Sequence, residues 1–202
     1  VLLDHPDLQG RLIAGYDFIS DPANALDGDG IDHNPNDPGD EALGGISTFH
    51  GTHVAGTVAA LSDNGSGVAG VDWNAKVMPL RVLGRFGGSG YDILQAVRYA
   101  ARLSNDSGTV PAEPADVINL SLGGFGSSQA EQDVFTEARG QGVIIIAAAG
   151  NEDTSTLAYP ASYDGVVSVS AVDLNKDKAP YSNFGSRIDV AAPGGDVERD
   201  RN

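Results

Sequence analysis

The 202-residue chain contains no cysteine, which removes disulfide stapling and thiol chemistry together. A core of this size does not need staples, so compartment stays open on that ground. Basic residues are scarce, 12 against 28 acidic, for a formal net charge of -16. Such a surface repels phosphate backbones and speaks against a nucleic-acid partner. No run of eighteen apolar residues exists to span a membrane; the most apolar stretch, Val143–Ala149, is strand-sized. The opening Val-Leu-Leu-Asp-His-Pro has neither an initiator Met nor the basic head and long apolar run of a signal peptide. That start is expected to be a fragment boundary.

What is present alternates. Lys76–Leu83, Asp116–Leu122, Gly142–Ala149, Val166–Asp173 and Arg187–Ala191 are short runs rich in Val, Ile and Leu, as buried parallel strands are. Between them, Thr52–Leu61, Tyr91–Leu103 and Ser128–Gly140 carry apolar residues at helical spacing. The last opens with Ser128 and Glu131 in capping-box register. Strand–helix alternation predicts one α/β domain over 1–202 with a mostly parallel sheet and ligand sites at the carboxyl ends of the strands. Asp27–Glu41 has no apolar period and reads as a long polar loop.

Three segments place reactive side chains at such ends. In Phe49-His50-Gly51-Thr52-His53, His50 stands at a helix start, where the positive end of the dipole helps keep the imidazole neutral as a base. Two histidines three apart also suit metal ligation, although the Glu of H-E-x-x-H is missing. In Ala147-Ala148-Ala149-Gly150-Asn151 a carboxamide follows a buried strand, either as a turn residue or as a donor to an oxyanion. In Asn119-Leu120-Ser121-Leu122-Gly123-Gly124 a strand empties into small residues, either a glycine turn or an edge along which an extended peptide pairs.

His50-Gly-Thr-His-Val-Ala-Gly-Thr, Ser121-Leu122-Gly123-Gly124, Ala148-Ala149-Gly150-Asn151, Tyr159-Pro160, Tyr181–Gly185 and Val190–Gly194 resemble, in order, segments of the subtilisin-like serine proteases. The resemblance implies a three-layer α/β/α fold with a mostly parallel central sheet. It also implies endopeptidase activity, His50 as general base, His53 as a structural neighbour and Asn151 as oxyanion donor. Ser121, Leu122, Gly123, Gly124, Ala149 and Gly150 would line the substrate groove, and Gly88, Ser89 and Gly90 its opposite strand. A secreted, monomeric enzyme made with a propeptide and acting on protein substrates is the corresponding expectation.

The family's Asp-Thr-Gly or Asp-Ser-Gly turn and its Gly-Thr-Ser-Met-Ala nucleophile segment do not occur in these 202 residues. Asp4 and Asp7 lie past the expected position of the triad aspartate, and no serine sits in G-x-S-x-G. The chain alone is therefore expected not to cleave peptides. A non-catalytic calcium- or peptide-binding remnant is the alternative; a dinucleotide-binding domain is disfavoured by the absence of a G-x-G-x-x-G joining strand to helix.

Calcium is expected at three places. Asp27, Asp29, Asp32, Asp37 and Asp40 are close enough in sequence to converge on one hard cation, or else form a solvated acidic loop. By resemblance alone, Asp7 with Leu61, Asp63 and Asn64 would form a second site. Asp189 with Ala161, Tyr163 and Val166 would form a third.

Overall fold

The computed structural model describes residues 1–40 and 47–195. The chain resolves into two compact units, Val1–Glu113 and Pro114–Asn202. Among the described residues every strand pairing within the two sheets is parallel.

In the first unit, β1 (Tyr16–Asp17) pairs with β2 (Leu80–Arg81), with Asp17 opposite Arg81. The expected strand Lys76–Leu83 shrinks to two residues: Pro79, just before it, has no N–H to offer a ladder. A short helix, α1 (Pro22–Ala25), is capped by the Asp21 carboxylate on Ala23 N. The helix α2 (His50–Ala59) buries Thr52, Ala55 and Ala59. The helix α3 (Gly90–Ala100) starts at Ser89, whose hydroxyl accepts from Asp92 N at 3.0 Å. Its Tyr99 joins Tyr16 and Phe18 in an aromatic cluster with centroids 5.2–5.5 Å apart. That spacing is the usual one for tilted and edge-on aromatic pairs, and it forms the core of this unit.

In the second unit, β3 (Val117–Leu120), β4 (Ile144–Ala148), β5 (Val166–Val172) and β6 (Val190–Pro193) follow one another across the sheet. The helix α4 (Gln129–Gly140) lies against β4 and buries Phe135 and Ala138. The expected capping box is modified. Ser128 Oγ accepts from Glu131 N at 3.1 Å, but the Glu131 carboxylate turns to the Tyr163 hydroxyl, which itself accepts from Ser128 N at 3.0 Å. Burial pushes the Tyr163 phenol up to about 12, with the Glu131 carboxylate adding to the effect. The strands were expected to be buried on both faces. Instead Ile118, Leu120, Ile145 and Ala147 are buried while Val117, Ile144 and Val190 on alternate positions stay about half exposed.

Candidate active site

Each unit holds part of the predicted constellation. His50 is the first residue of α2 and is exposed. The preceding Phe49 adopts a left-handed conformation (φ 46°), and its carbonyl accepts from Thr52 N and His53 N. The sharp entry lifts the imidazole out at the helix start. Thr52 Oγ1 accepts from Leu2 N at 2.9 Å, tying α2 to the chain's first residues. His53 is exposed one turn on, its carbonyl taking the Thr57 hydroxyl. Gly88, Ser89 and Gly90 lead into α3, and a tight turn closed by Gly84 and Gly87 precedes them. A β-carbon on Gly88 would stand 2.6 Å from Val82 O, so glycine is required there by space.

In the second unit, β3 and β4 run in register with Leu120 opposite Ala147. Ser121–Gly124 and Ala149–Asn151 therefore leave the carboxyl edge of the sheet side by side, where strand order and polarity place ligands. Gly124 exchanges two backbone hydrogen bonds with Tyr159 (2.9 and 2.8 Å), holding the first segment extended. Gly150 takes φ 108°, a conformation that favours glycine, and the chain turns so that Asn151 is exposed at the tip. Asn151 N donates to Glu152 Oε2 at 2.9 Å, and the residue is exposed.

Two residues escaped sequence reading. Glu152 and Asn183 both bind the turn that carries Asn151. Asn183 lies inside the recognised Tyr181–Gly185 motif, but only the fold brings it against residues 31 to 34 positions away.

The acidic loop does not gather its carboxylates. Among the described residues no three His, Asp or Glu groups come together as a metal site. Asp27 Oδ2 accepts from Arg81 Nη1 at 2.7 Å. Asp32, Asp37 and Asp40 accept from the backbone N–H groups of Asn34, Gly39 and Thr48. Local turns satisfy these carboxylates one at a time, which relieves the repulsion that was expected to demand a cation. Asp29 lies exposed in the same loop.

Asp7 is different, being buried. Its carboxylate accepts from Val68 N at 3.0 Å and Asn64 Nδ2 at 3.2 Å, and its carbonyl accepts from Leu61 N at 2.8 Å. The Val68 bond, then the Asn64 bond, holds its carboxyl below the usual range. Asp63 begins the turn of this loop at φ 59°. Asp189 Oδ2 accepts from Ser168 N at 2.8 Å, near the Ala161–Val166 turn, where the Tyr163 carbonyl is already taken by Val166 N.

The family model described as the subtilase family matches residues 1–201. The chain is 45% identical to an extracellular protease of Xanthomonas campestris pv. campestris, covering 97% of this chain and 36% of that protein. It is 44% identical to an extracellular basic protease of Dichelobacter nodosus, covering 97% and 35%. A solved structure of a protease from Pseudoalteromonas arctica superposes with a TM-score of 0.93 at 45% identity, over 96% of this chain and 60% of that one. Other matches are named intracellular serine proteases. The chain thus spans about a third of the length of those two curated relatives, and the predicted α/β fold is the one it shares with the solved protease.

Proposed function

Because the chain belongs to the subtilase family, we propose that it supplies the base and oxyanion half of a serine endopeptidase active site. The observation that carries this reading is the paired exit of Ser121–Gly124 and Gly150–Asn151 from adjacent parallel strands. An extended peptide lying along the first segment has its carbonyl oxygen within reach of a rigidly presented amide donor on the second. His50 takes the proton from a serine hydroxyl and returns it to the leaving amine, so attack proceeds through an acyl-enzyme. That serine and the orienting aspartate come from segments with the two family motifs that these 202 residues lack.

Protein substrates and action outside the cell belong to the same proposal, supported by two relatives named as extracellular proteases. Calcium, which the resemblance implies, is assigned here to the Asp7 loop. Burial sets Asp7 apart, since Asp27, Asp32, Asp37 and Asp40 are not buried. The Asp7 carboxylate, like theirs, accepts from N–H donors, so a cation would displace the Asn64 Nδ2 bond. Calcium there would brace the loop after α2.

The test is a chimaera of this chain with the flanking segments of the Pseudoalteromonas arctica protease, assayed on casein and with a serine-directed fluorophosphonate. Turnover should fall by several orders of magnitude in His50→Ala. In Asn151→Ala, kcat should fall about 10²–10³-fold at nearly constant KM, a figure measured in a subtilisin and carried over rather than worked out from this chain. A fully active His50→Ala chimaera, or serine labelling with turnover by the 202-residue chain alone, would overturn the reading.

A further inference from the structure

Asn183 is 2% exposed and uses its whole hydrogen-bonding capacity on one turn. Its Oδ1 accepts from Glu152 N at 3.0 Å and Thr154 N at 3.2 Å. Its Nδ2 donates to Ala149 O at 2.9 Å and Glu152 Oε2 at 2.8 Å. Its backbone N donates to Gly150 O at 3.1 Å. Glu152 Oε2 also receives Asn151 N, so the carboxylate and the carboxamide grip the turn from both sides. A β-carbon at Gly150 would stand 2.3 Å from Asn183 Nδ2, a measure of how closely the clamp is drawn.

We propose that Asn183 is a positioning residue for the oxyanion donor, setting the direction in which the Asn151 carboxamide projects by fixing the backbone on both sides of it. The proposal rests on the reading of Asn151 given above. Both amide atoms are needed: aspartate at 183 loses two donors and sets a second carboxylate against Glu152, and alanine leaves Glu152 N and Thr154 N without their acceptor.

Two measurements test it. In the 202-residue chain, Asn183→Ala should strip amide-exchange protection from Asn151, Glu152 and Thr154 while Ile145 and Ala147 in β4 keep theirs. In the chimaera, Asn183→Ala should lower kcat roughly 10–100-fold with KM within about twofold, the scale of a displaced catalytic group. Asn183→Asp should recover part of that loss as pH falls and the new carboxyl regains a proton to donate. Unchanged exchange at the turn, or loosened exchange with kcat intact, overturns the proposal alone. A folded chimaera that never turns over removes instead the reading of Asn151 on which it depends.

Discussion

Arg81 should be the most pH-sensitive point of the first unit. The residue is 6% exposed, and Nη1 bridges Asp17 Oδ2 at 2.6 Å and Asp27 Oδ2 at 2.7 Å while Nη2 donates to Ala25 O. Asp17 is fully buried, and desolvation pushes its carboxyl up to about 6 despite donors from Ile19 and Arg81. In Arg81→Met the side-chain stem is replaced but Asp17 keeps only the Ile19 N–H, at 2.7 Å. Stranding a buried charge costs about 3–5 kcal/mol. At roughly 2–4 °C per kcal/mol for a chain of this size, the melting midpoint at pH 8 should drop about 6–20 °C.

Because the folded pKa of Asp17 is raised, its favourable contribution is complete below the unfolded value of about 3.9 and is lost as pH rises through 6. At pH 5 the carboxyl is neutral with or without the guanidinium, and only the bonds to Asp27 and Ala25 are missed, about 1–3 kcal/mol. Urea unfolding followed by circular dichroism at both pH values, with Arg81→Met, Asp17→Asn and the double variant, measures this. The double variant should recover most of the pH 8 loss. A loss that is equal at pH 5 and pH 8, or a double variant no better than Arg81→Met, would refute the account.

Gly67→Ala should destabilise more than Gly65→Ala: both sites have positive φ (61° and 68°), but a β-carbon at 67 would stand 2.1 Å from Asp7 Oδ2 and nothing lies within 4 Å at 65. Equal urea midpoints would discount the clash. Asp7→Asn should lower stability at neutral pH and converge on the parent as pH falls through the depressed pKa of Asp7, since a carboxylate held in its charged form contributes only above it. Calcium at about 100 times its Kd should stabilise the chain by about 2.7 kcal/mol, reversed by EDTA, lost in Asp7→Asn and kept in Asp29→Asn; a calcium effect that survives in Asp7→Asn moves the site elsewhere. Phe135→Ala, emptying a position 2% exposed under α4, should cost about 3–5 kcal/mol in a denaturant titration.

Where the determinants are close in sequence, reading the chain went far. Ser128 and Glu131 mark the start of α4 to the residue, because the cap bond spans three positions. The runs for β3, β4 and β5 fall within a residue or two of the observed strands, their Val and Ile content matching the parallel ladder. The strand expected at Arg187–Ala191 instead runs Val190–Pro193, since Asp189 turns its carboxylate to Ser168 N before the ladder begins. Nothing local announced β1, only two residues long and held by a partner more than sixty positions on.

The same division runs through the site. The exposed strand-tip position of Asn151 was legible because the buried strand and the glycine before it are adjacent in sequence. The contacts of Arg81 and Asn183 were not, because they are made with groups 31 to 64 residues away: one claims a carboxylate from a loop that composition alone suggested for a cation, the other anchors the turn that carries Asn151. The candidate motifs of this chain are thus written locally and the contacts that hold them at a distance. A substitution at Asn183 should accordingly leave the Ala148–Asn151 motif intact in sequence while changing the geometry in which it is held.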